Sequence, residues 1–282
     1  MVTRPSPGSG NCRVVVVSEP GDWAGLLPLL HRHLALLPVL GLDCEWVSDG
    51  GTARPVCMLQ LATVGGLVLL VRLLTAGPLP MDLRGILASP EVYKVGVAVG
   101  DDARKMLSGH GLEVGGCLDL RHLVLRCGGR HPGKLGLEAL SAAVLGVALD
   151  KDWRLRAGDW EALTLTPRQV DYAANDALVG VNILWVVVSR YLTSGWLGWL
   201  RTVLWGQDRL QSEVSALLEP FVDLDFNNKE WKHQLREGKE RSATPTCGVK
   251  GNRLNPTRRS PLYHNCMLQA PDGQVTHSRR CE

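Results

Sequence analysis

Residues 39–46 read Val39-Leu40-Gly41-Leu42-Asp43-Cys44-Glu45-Trp46, an apolar run that acquires two acids with one residue between them. Such a run is expected to form a strand, and side chains in a strand alternate between its faces. Asp43 and Glu45 therefore share one face, while Cys44 and Trp46 share the other. Like charges side by side on a half-buried strand repel. A divalent cation, Mg²⁺ or Mn²⁺, offsets that repulsion because it takes hard oxygen ligands. The competing reading is two surface acids where a strand frays into Ser48-Asp49-Gly50-Gly51. The pair alone does not separate the two.

Outward from this stretch the pattern changes once. Val14 to Val17 reads as a first strand and Asp22 to Leu37 as a Leu-rich helix closed near Pro38. After the acidic strand, Val56–Leu61 and Leu67–Val71 read as two more, joined by a tight Gly65-Gly66 turn. Three neighbouring strands with short links predict an antiparallel meander. Helix and strand then alternate: a helix over Leu79–Leu87, a buried strand over Val92–Val99 and a helix over Asp102–Ser108. A short strand from Val114 to Leu118 and a helix over Leu137–Leu145 follow. Thr166-Pro167-Arg168-Gln169 opens a long helix reaching about Tyr191, with Thr at the N-cap, Pro at the first helical position and Gln completing a capping box. A meander followed by alternating elements predicts an α/β fold with a mixed β-sheet flanked by helices.

Further acids fall at the ends or in the interior of these apolar elements. Tyr172 and Asp176 are four residues apart on the long helix and so share a face. Asp176 is followed by apolar residues almost all round the helix, where an unpaired charge is destabilising. Asp101-Asp102 lies where a buried strand passes into a helix, a position that also suits plain capping. Each position is weak alone, but three carboxylate positions with a tyrosine one turn from the last are harder to dismiss as plain surface acids.

Asp43-Cys44-Glu45, Gly96-Val97-Ala98-Val99-Gly100-Asp101-Asp102 and Tyr172-Ala173-Ala174-Asn175-Asp176-Ala177 resemble the three motifs of the DEDDy 3′–5′ exonucleases. The links agree: Leu59-Gln60-Leu61 after the first motif, Lys151 and Trp160 before the third, and Leu165 to Gln169 leading into it. The resemblance covers roughly residues 13–192. It implies an RNase H-like (DnaQ-like) fold and a two-metal mechanism using Mg²⁺ or Mn²⁺. By that resemblance Asp43, Glu45 and Asp176 hold one ion beside the attacking water. Asp43 bridges to a second ion, Asp102 supports that second ion, and Tyr172 orients the water. Asp102 is preferred to Asp101 on its distance from Gly96-Val97, with Asp101 as the capping acid; a register shift of one exchanges them. The implied partners are 3′ ends of single-stranded or frayed RNA or DNA, with nucleoside monophosphates as products. A homodimer, roles in DNA repair or RNA processing, and an intracellular address, mitochondrion-associated or nuclear, are implied in the same way. Met58, Leu59 and Trp46 are candidates to stack on or wedge against a terminal base, although strict alternation turns Trp46 away from the acids and towards the core. His110, His122 and His131 receive no role. The alternative is a catalytically weak nucleic-acid-binding or scaffold protein that keeps the fold.

The 282 residues suffice for one sizeable domain with an appendage. The net charge of +3 is unevenly spread: residues 229–282 carry 11 Lys/Arg against 5 Asp/Glu, and the remainder is mildly acidic. A basic tail on an acidic body suits contact with phosphates. The eight cysteines show no CxxC pair and several sit in apolar runs, so a reducing compartment is expected. No secretory h-region is visible in residues 1–12, and Ala177–Val188 is short of the ~20 apolar residues of a span, so no membrane span is expected. The expected organisation is a flexible N-terminus over 1–12, the exonuclease domain over 13–192, a helical extension over 193–226, and a basic linker with a truncated second-domain stub over 227–282.

Overall fold

The computed structural model describes residues 12–127, 135–193, 207–224, 267–269 and 275–277. An eight-stranded mixed sheet forms the centre. Its strands are β1 (Arg13–Val17), β2 (Val39–Glu45), β5 (Met58–Thr63), β6 (Leu67–Arg72), β7 (Tyr93–Gly96), β8 (Cys117–Asp119), β9 (Met267–Gln269) and β10 (Val275–His277). They lie in the order β10-β9-β1-β6-β5-β2-β7-β8. Strands β2, β5 and β6 form the expected antiparallel meander. Strands β7 and β8 then add in parallel to β2, and β1 in parallel to β6. A two-stranded ribbon of β3 (Ser48–Asp49) and β4 (Thr52–Ala53) follows the acidic strand.

Helices cover both faces. On one lie α1 (Leu26–Leu36), α2 (Met81–Ala88) and α3 (Val99–His110), whose apolar residues pack with Leu40, Leu42 and Cys44. On the other lie α4 (Leu120–Cys127), α5 (Leu137–Val144) and α7 (Pro167–Thr193), with the single-turn α6 (Trp153–Arg156) beside them. There Val39, Met58, Val68 and Val95 meet Ala173, Ala174, Ala177 and Val181. By length and composition α7 is long and apolar enough to cross a membrane, a longer helix than the apolar run alone predicts. Its side chains are instead mostly buried against the sheet.

The capping box forms as expected: Gln169 Oε1 accepts from the Thr166 N–H, and Thr166 Oγ1 accepts from the Gln169 N–H. The strand expected over Val92–Val99 is shorter than its apolar run. Strand β7 stops at Gly96, and Ala98 adopts a left-handed backbone (φ 62°) that starts α3 early, so Asp101 and Asp102 fall in its first turn. The Ala98 N–H is held by Asp119 Oδ2 at 3.0 Å, a contact across 21 residues that local pattern does not reveal. Helix α4, directly after β8, was not anticipated.

Residues 207–224 form α8 (Gln207–Leu218) and a 3₁₀ turn at Glu219–Phe221. Val214, Leu218 and Phe221 are buried on the body. The segment closes the sheet at β8: Leu118 bridges Val222, and Asp223 exchanges hydrogen bonds with the Cys117 backbone. Within residues 227–282, the described strands β9 and β10 pair with each other and, through β9, with β1. Trp196, Trp199 and Trp205, the rest of that tail and residues 1–11 lie outside the described residues.

Candidate active site

The register of β2 against β5 sets the site. Asp43 lies opposite Gln60 and Glu45 opposite Met58. Because Leu42 and Cys44 enter the core on the α1–α3 face, Asp43 and Glu45 point to the α7 face, as alternation predicts. Helix α7 can approach that face because position 41 is glycine. A Cβ there would stand 2.1 Å from the Ala177 carbonyl oxygen and 2.7 Å from Val181 Cγ2. This close approach brings Asp176, one residue before Ala177, onto the acids of β2.

The outcome is a group of three carboxylates. One oxygen each from Asp43, Glu45 and Asp176 lies within 4.8 Å of the others. Glu45 and Asp176 are buried and Asp43 is half-buried at the mouth. Asp102, buried on the first turn of α3, stands outside this trio but close enough to feel the charge of Asp43. Asp101 is half-buried, its side chain 47% exposed, and pairs with Arg104. Of this adjacent pair, Asp102 is the carboxylate that is buried and that the Asp43 charge reaches. Tyr172 is buried one turn from Asp176, with its ring 5.9 Å from that of Trp160.

Electrostatics follow from this crowding. Burial first, and then the Asp176 charge, pushes Asp43 up to about 7. Burial, then Asp43 and Asp176, takes Glu45 up to about 9. Burial, then Asp43 and Asp101, takes Asp102 up to about 9. Burial also raises Asp176, against the opposing pull of Lys151. The Tyr172 hydroxyl is raised as well, by burial and then by the charges of Asp176, Glu45 and Asp43, so it stays protonated. A nearby divalent cation would reverse these shifts in the acids. The donor set fits such an ion: all ligands are hard oxygens, and oxygens bound at about 2.0–2.1 Å around one centre stand roughly 3–4 Å apart.

Two of the candidates for contact with a terminal base are enclosed in the core. Met58 and Leu59 are fully buried, one in each core, and cannot stack on a base. Strand β5 is covered on both faces, so its apolar residues are spent on packing. Trp46 is half-buried on the opposite side from the acids, with Lys105 Nζ 4.0 Å above its ring. His110 is tied to the Val56 carbonyl, and His122 is fully buried. His131 lies outside the described residues. Sequence reasoning gave no role to Lys151, whose Nζ contacts both Asp176 oxygens at 2.6 and 2.5 Å. An isolated Lys before a long helix carries no local signal for a partner 25 residues away.

A sequence profile described as 3′–5′ exonuclease matches residues 26–185, a span that contains Asp43, Glu45, Asp102, Tyr172 and Asp176. The chain belongs to the 3′–5′ exonuclease family. It is 39% identical over 277 residues to the Drosophila melanogaster exonuclease 3′–5′ domain-containing protein 2, covering 93% of this chain and 45% of that one. To the human protein of the same name it is 38% identical over 299 residues, covering 93% and 46%. The chain thus spans about half the length of the curated relatives it matches. Among solved structures, the EXD2 exonuclease domain soaked in Mn is 40% identical, with 68% of this chain and 94% of that one aligned at a TM-score of 0.40. The same domain has been soaked in Mg with GMP.

Proposed function

We propose that the protein is a metal-dependent 3′–5′ exonuclease. It hydrolyses phosphodiester bonds from the 3′ end of single-stranded or frayed RNA or DNA and releases nucleoside monophosphates. The observation that carries the reading is the convergence of Asp43, Glu45 and Asp176 within 4.8 Å, with Tyr172 one helical turn away. Asp43, Glu45 and Asp176 would hold one divalent cation, and Asp43 with Asp102 a second. When bound, such a pair supplies a nucleophile at neutral pH and neutralises charge on the leaving 3′ oxygen. The protein's own part is to fix four carboxylates on three rigid elements, so that little reorganisation accompanies the reaction. Tyr172, held protonated by its surroundings, donates a hydrogen bond that orients the attacking water. Its raised pKa argues against a role as the base that takes the proton.

The test is degradation of matched RNA and DNA oligonucleotides, labelled at the 5′ end, with Mg²⁺ or Mn²⁺. A ladder shortening from the 3′ end, arrested by a blocked 3′ terminus, supports the reading. Internal cleavage of the blocked strand points to an endonuclease. Binding without cleavage under either ion points to a nucleic-acid-binding scaffold.

A further inference from the structure

Lys151 sits between α5 and α6, with a side chain 26% exposed. Its ammonium donates to both oxygens of Asp176 at 2.6 and 2.5 Å and lies 4.8 Å from the centre of the Tyr172 ring. Asp176 is the one member of the trio that is both buried and doubly hydrogen-bonded by a cationic side chain. The ammonium therefore already supplies, at that carboxylate, positive charge of the kind a bound cation would supply.

An incoming divalent ion needs an Asp176 oxygen and brings two positive charges close to a third. Because the ammonium contacts both Asp176 oxygens, the ion must share at least one of them against the repulsion of the lysine charge. A lysine can give way, since its compact charge rides on a flexible four-carbon stem, and this one reaches solvent. We infer that Lys151 is a resident counter-ion of Asp176, which it holds in place until a divalent cation displaces it. Lys151 is thus a positioning residue, acting through Asp176. The inference rests on the proposed metal site.

Isothermal titration of Mn²⁺ into the full chain, with thermal unfolding in EDTA and in Mn²⁺, tests it without reference to turnover. For Lys151→Met the ion no longer competes, so Mn²⁺ binds about tenfold more tightly, the size of one charge-assisted contact. In EDTA the variant unfolds at a lower temperature than the wild type, and Mn²⁺ raises its midpoint by more. If the Met variant does not fold, Lys151→Gln, which keeps a neutral donor, gives the same sign of change. Unchanged or weaker Mn²⁺ binding in the folded variant overturns the inference and leaves the metal site standing. A wild-type chain that binds no Mn²⁺ overturns both.

Discussion

Gly41→Ala tests whether the packing of α7 on β2 sets the site. The added Cβ would lie 2.1 Å from the Ala177 carbonyl oxygen, which is helix backbone and cannot rotate away. To reach ordinary contact at 3.4 Å, the helix must retreat by about 1.3 Å. Asp176 adjoins Ala177 and moves with it. Overpacking of this kind costs about 1–3 kcal/mol, and at ~2–4 °C per kcal/mol the unfolding midpoint falls by roughly 2–12 °C. Misplacing a reacting group by ~1 Å costs about 100-fold in rate. The assay is initial-rate degradation of a labelled oligonucleotide in Mn²⁺, normalised to folded protein, beside thermal unfolding of the same preparation. Gly85→Ala is the control, because a Cβ there meets nothing within 4 Å. Activity within a few-fold of wild type in a destabilised Gly41→Ala protein would refute the link between this helix contact and the site.

Other outcomes follow from the same geometry. Asp43→Ala removes a ligand and relieves crowding among raised acids, so activity falls at least ~1,000-fold while the unfolding midpoint holds or rises, read by degradation assay and calorimetry. Asp102→Asn lowers the rate at least ~100-fold, whereas Asp101→Asn, at a half-buried residue whose side chain reaches solvent and pairs with Arg104, changes it less than about threefold. In EDTA, folded Asp43, Glu45 and Asp102 titrate at about 7, 9 and 9, against about 4 in the unfolded chain. The folded protein then binds more protons over that span, so its stability falls as pH rises, with the full loss above about pH 9. Urea midpoints at several pH values check this, and Asp43→Asn should flatten the curve. Thr166→Ala removes a capping partner of α7 and costs about 1 kcal/mol, measured by denaturant unfolding, with activity per folded molecule unchanged.

Local rules predicted what local rules control. Alternation along β2 placed Asp43 and Glu45 together, helical spacing paired Tyr172 with Asp176, and the Thr166–Gln169 box marked where α7 begins. The rest depended on contacts between distant residues. Val97 and Ala98 continue an apolar run, yet Asp119 pulls the Ala98 N–H into a turn and ends the strand. Met58 and Leu59 look available after a Gly-rich loop, but the sheet's two covered faces enclose both. Lys151 becomes legible only when α7 brings Asp176 to it.

The attachment of residues 219–224 to β8 bears on how copies of this protein can meet. Asp223 and Val222 occupy backbone groups of Cys117 and Leu118 that would otherwise project from the outermost parallel strand. An exposed row of such groups invites pairing with another chain. Here the polypeptide supplies its own plug. Self-association through continued strand addition is thereby discouraged on this flank. Ending the protein before residue 219 would remove the plug and favour aggregation.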